Sequence, residues 1–116
     1  MERYDPITLT LEDTHEQYTL DFDRDSVRFA ERTGFNISDL DSKPMSAAYD
    51  LFFYAFRMHH KNVSRQKTDR IIDEYFGGYA GMPVGMMERL GALYGQTFTT
   101  LADEGAGKNG KVTVNF

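Results

Sequence analysis

Three stretches of this chain carry residue types and spacings that suggest chemistry, and each can be tested against what that chemistry requires. GAGKNGKV, Gly105 to Val112, has the glycine and lysine spacing of a phosphate-binding loop. Such a loop needs a strand to deliver the glycines, a helix whose first N–H groups point at the phosphates, and a Ser or Thr after the lysine for Mg²⁺. Here Val112 follows Lys111, and KVTVNF alternates like a strand, so the stretch reads as a Gly/Lys/Asn turn. DFDRDS, Asp21 to Ser26, opens like a calcium loop. Its sixth position is Ser26 where Gly is needed, and its twelfth is Arg32 where a bidentate Glu is needed, so the aspartates read as a strand end and a helix cap. His59 and His60 are neighbours, about 100° apart on a helix, and cannot share one ion from a single face. His15 falls in a turn, cysteine is absent, and the serines sit at caps or loops. The sequence therefore predicts no catalytic, cofactor-binding or metal-binding residue.

The elements that would position any site follow from composition and periodicity. With 116 residues, 41% of them hydrophobic and 14% aromatic, the chain can bury one core. A net charge of −5 with scattered Lys and Arg argues against nucleic-acid binding; the densest basic stretch, Arg57 to Arg70, reads as a solvated helix end and linker. No apolar run long enough for a signal peptide or membrane span opens the chain, so a soluble cytoplasmic protein without a membrane partner is expected.

Ile7, Leu9 and Leu11, then Tyr18, Leu20 and Phe22, alternate with polar residues and predict a β-hairpin with one apolar face. Asp23 or Asp25 caps a short helix over Ser26–Thr33 that stops at Gly34. After a connection, Ser42 and Pro44 open a helix without a breaker until Asn62, apolar on nearly every side through Tyr49, Leu51, Phe52, Phe53, Tyr54 and Phe56. Ser64 caps the next helix, which ends at Gly77-Gly78. Pro83 opens the last one, whose stripe of Met87, Leu90, Leu93, Tyr94, Phe98 and Leu101 is interrupted by Gly85, Gly91 and Gly95; those glycines imply close packing of a neighbour or an adaptable helix. The expected fold is α+β: one domain over residues 1–102, a hairpin packed on about four helices, then a flexible linker over 103–116. Val112, Val114 and Phe116 there predict a terminal strand able to add to the hairpin or to a partner's sheet.

The order LDFDRDSVRFAE (strand, acidic cap, short helix), the aromatic run LFFYAFRMHHKNVSRQKTDRIIDEY and a final helix from Pro83 resemble the small tail assembly chaperones of long-tailed phages and prophages, over roughly Ile7 to Leu101. The resemblance implies a non-enzymatic factor that binds the tape-measure protein and keeps its long helices soluble until the tail tube polymerises. Members of that family can be made in two lengths by frameshifting; no frameshift is visible here. Seven Tyr, nine Phe and six Met would suit an adaptable apolar groove. The contact candidates are Tyr79, Met82, Met86, Met87 and Tyr94, with core packing or a homo-oligomer interface as the competing role. Two other functions stay open: a head–tail or tail component of the virion, and a small enzyme or ligand-binding protein, which a deep pocket with convergent polar groups would favour.

Overall fold

The computed structural model describes residues 3–108 and Asn115. Strands β1 (Ile7–Leu11) and β2 (Glu16–Leu20) form the expected antiparallel hairpin, with Ile7 opposite Leu20, Leu9 opposite Tyr18 and Leu11 opposite Glu16. Alternation sends Leu11, Tyr18 and Leu20 into the core and leaves Thr8 and Thr10 exposed.

Helix α1 (Arg24–Arg32) follows at once. The Asp23 carboxylate accepts the Ser26 N–H at 2.8 Å, and Ser26 Oγ accepts the Asp23 N–H at 2.9 Å. This reciprocal pair is a capping box, which explains the calcium-like run as a helix start. Gly34, at φ 100°, ends the helix where an L side chain would be strained.

The connection to the central helix contains one helical turn, α2 (Asp39–Ser42), where only a loop was expected. Ser42 therefore ends an element and does not cap the next. The N-cap of α3 (Pro44–Phe56) is Lys43, with no side-chain cap bond, and Pro44 occupies its first turn as predicted. Ala47, Ala48, Leu51, Phe52, Tyr54, Ala55 and Phe56 are all buried, so α3 is covered over most of its circumference. Contacts with α1, α2, β2 and the helices that follow supply that cover, and edge-to-face stacking of Phe52 on Phe56 and Phe76 fills the space between. The helix stops at Phe56, short of Asn62. The His60 N–H bonds the Phe56 carbonyl at 2.7 Å, and the His60 ring turns to β2, where its Nε2 accepts the Thr19 N–H at 2.9 Å.

Ser64 caps α4 (Arg65–Arg70), its Oγ accepting the Lys67 N–H at 3.1 Å. The helix then widens into a π-helical turn, Ile71–Tyr75, closed by the Phe76 N–H on the Ile71 carbonyl. Ile71 and Ile72 are both fully buried. After Gly77 and Gly78 the chain makes a 3₁₀ turn, Tyr79–Gly81, folded back against the π turn. Gly81 is obligatory there: a Cβ would lie 1.7 Å from the Phe76 carbonyl oxygen.

The last helix, α5, runs Met86–Lys108 and starts three residues later than Pro83 suggested. Met86, Leu90, Leu93, Tyr94 and Thr97 are buried along one stripe. A Cβ at Gly91 would meet Leu40 Cδ1 at an ordinary 3.8 Å and one at Gly95 would meet nothing within 4 Å, so close packing does not account for these glycines as a set. The helix continues through Asp103–Lys108, where a linker was expected; the predicted strand residues Val112, Val114 and Phe116 lie outside the described residues. A single hydrophobic cluster joins the hairpin to α1, α3, the π turn and α5, and makes the fold α+β. Among the described residues no helix is long and apolar enough to cross a membrane.

Candidate functional site

The glycine-rich passage between the π turn and α5 separates two shallow apolar grooves. The first, of about 270 Å³, lies where α2, the start of α3, the 3₁₀ turn and α5 meet, and is lined by Leu40, Pro44, Tyr79, Met87, Glu88 and Gly91. Gly91 contributes no side chain, so Leu40 and Met87 form the apolar walls and Glu88 the charged rim. Tyr79 and Met87, both half-buried, are the two sequence candidates that the fold brings together here.

The other candidates are placed differently. Met82 is half-buried and packs against the core. Tyr94, 2% exposed, stacks edge to face on Phe22 and Phe35 at centroid distances of 5.2 and 5.5 Å, and Met86 is 7% exposed. Burial makes Met86 and Tyr94 core residues, and neither lines the groove of Tyr79 and Met87. Met86 and Met87 are neighbours about 100° apart on one helix, so the side chain that joins the stripe is buried and the next one flanks it.

The second groove, of about 320 Å³, runs along β1 and includes Ile7, Leu9, Phe76, Val84, Met86 and Arg89. Val84 is fully exposed and Ile7 and Leu9 are half-buried. Sequence reasoning missed this surface. The available signal was Val84 standing between Pro83 and Gly85, an apolar residue in a turn that offers it no interior.

A polar pocket of about 280 Å³ lies between α1 and the chain leaving α3, lined among others by Asp23, Asp25, Arg32, Arg57 and Lys61. Arg57 stacks its guanidinium 3.8 Å from the Phe29 ring centroid. The wall carries three cations and two carboxylates, and Asp23 is already held in the α1 cap.

The model of a family described as a domain of unknown function (DUF5055) matches residues 3–116. The chain belongs to the DUF5055 family. Neither the curated proteins nor the solved structures yield a match.

In this DUF5055 chain three groups with shifted proton affinities sit at separate joints between elements. The Asp73 carboxylate holds the hydroxyl proton of Tyr49 and pushes its pKa up to about 12, joining α3 to the π turn. The Glu16 carboxyl is held below its usual range by hydrogen bonds from Tyr18, Thr14 and Lys67, which ties β2 to α4. Burial, and then the neighbouring His59, push the His60 imidazole down, in keeping with a neutral ring that accepts the Thr19 N–H. Each of these three shifts has a joint to explain it, and none of the three groups lines either apolar groove. Among the described residues no three His, Asp or Glu side chains converge to hold a metal ion.

Proposed function

We propose that this chain is a non-enzymatic assembly factor that holds an amphipathic helix of a partner protein, as the tail assembly chaperones it resembles hold the tape-measure protein in the cytoplasm of the infected or lysogenic bacterium. The observation that carries this reading is the groove at Tyr79 and Met87. It is shallow, apolar on both walls, floored by Gly91 and rimmed by Glu88, which suits side chains spaced by one helical turn with a basic residue at the edge. A polarizable thioether and a tyrosine adapt to varied partner residues, a useful property for a protein that engages successive stretches of one long helix. Met87 lies outside the buried stripe of α5, so a charge placed there meets the partner more than the core.

The test is capture of a long helix-rich chain from cells expressing the neighbouring genes, using the tagged wild-type protein and Met87→Asp. Wild type is expected to retain that chain, and Met87→Asp to lose it while keeping its circular dichroism spectrum. Equal capture by both, or recovery only of capsid and tube proteins, would end the chaperone reading.

A further inference from the structure

The two edges of the hairpin are treated differently. Thr19 sends its N–H away from β1 to His60, so Thr19 and its partner Thr8 form a pair that exchanges no bonds between the strands. The N–H and C=O groups of Thr8, and of Thr10 two residues on, therefore face away from β2, and no described residue bonds to them. Beside this free ladder lies the apolar groove of Ile7, Leu9, Phe76, Val84 and Met86. Ile7 and Leu9 are only half-covered, whereas their partners Leu20 and Tyr18 are buried. A further strand would find backbone groups to pair with and an apolar floor under every second side chain.

The chain contains a segment with that alternation. In Lys111–Phe116, Val112, Val114 and Phe116 share one face and Thr113 and Asn115 the other, with no acidic residue among them. Its own body cannot lay it there. Arg89 lines the groove, and α5 carries Lys108 about 28 Å farther along the helix axis at 1.5 Å per residue. The N-terminal segment runs the same way, since the Tyr4 N–H reaches Gln96 and Arg89 reaches the Asp5 carbonyl, so α5 leads away from β1. From Lys108 to Lys111 the chain spans at most about 11 Å, and even fully extended only its last residue would return to the groove.

We infer that β1 receives Lys111–Phe116 from a second copy of the chain, and that the exchange is reciprocal. A two-fold dimer results, because the same edge and the same segment are offered by both copies. Val112, Val114 and Phe116 cover the Ile7 and Leu9 groove, and Thr113 and Asn115 lie beside Thr8 and Thr10 on the solvent face.

Sedimentation equilibrium of the full chain over a concentration series, with amide exchange at Thr8 and Thr10, tests this directly. Wild type should be a dimer in which those two amides exchange at least about tenfold more slowly than in the double variant Val112→Asp, Val114→Asp. The variant should be monomeric, and the synthetic peptide KVTVNF added to it should restore the protection. A monomeric wild type with protected Thr8 and Thr10 would mean that the segment returns to its own chain. A monomer with both amides unprotected would leave the edge to an unrelated protein, and a dimer that survives the two aspartates would use another interface. Any of these three results overturns the exchange.

Discussion

The outer edges of β1 and β2 are separated by one hairpin and share the same alternation of apolar and polar residues, yet only one is sealed. On β2 the Thr19 N–H ends on the His60 ring and the Asp21 N–H on the Ala55 carbonyl at 3.0 Å, both from the end of α3 and the chain leaving it. Tyr18 packs on Phe56 and His60, and Leu20 is wholly buried. On β1 no described residue bonds the outward backbone groups of Thr8 and Thr10, both side chains face solvent, and a groove lined by the start of α5 stands where β2 has α3. A strand edge is a liability unless something covers it, so the contrast separates the half of the hairpin that builds the core from the half left for association.

Substitutions should feel this asymmetry, most strongly at the leucines of the inner face. Leu20→Ala empties a fully buried site and should cost about 2–5 kcal/mol in urea unfolding, whereas Leu9→Ala, at a half-covered site, should cost about 1 kcal/mol in the monomer. Equal losses would mean that β1 is as well covered as β2 and would dissolve the comparison.

A smaller effect falls on the seal itself. His60→Ala leaves the part-buried Thr19 N–H without its acceptor and should cost about 1–3 kcal/mol. Because the folded pKa of His60 lies below its ordinary value, the unfolded chain binds the proton more readily. The wild-type stabilisation is therefore complete above the usual histidine range near about pH 6.5 and is lost as pH falls through the folded pKa. Thermal unfolding should show wild type converging on His60→Ala as the pH is lowered. Parallel curves from neutral to mildly acidic pH would show that the Thr19 bond does not depend on the neutral ring.

The smallest change is expected at the open edge. Thr10→Lys adds a charge to an exposed side chain on the free side of β1 and should alter monomer stability by no more than about 0.5 kcal/mol. A larger loss would reveal a contact at this edge that the structure does not contain.

Much of this architecture was legible in local pattern. Alternation from Ile7 to Leu20 specified the hairpin, Asp23 and Ser64 announced two helix starts, Pro44 a third, and Gly34 and Gly77 marked two stops; these are interactions between near neighbours in the chain. The rejection of GAGKNGKV as a nucleotide loop rested likewise on what stands next to it. Tertiary structure decided the rest. His60 leaves the path of α3 because a backbone donor on β2, remote in sequence, meets its ring, and periodicity contains no record of that meeting. Met86 and Met87 look alike in sequence, and only the packing of α5 sends one inward and the other to the wall of the Tyr79 groove. The π turn at Ile71–Tyr75 and the close approach of Gly81 to Phe76 likewise need the two segments folded against each other before either has a cause. The residues thus determined which elements form and which faces are apolar, because those follow from short-range sterics and hydrogen bonding. Which apolar face is covered and which stays open was settled only when β2, and not β1, came to rest against the end of α3, since burial belongs to the assembled neighbours and not to any one segment.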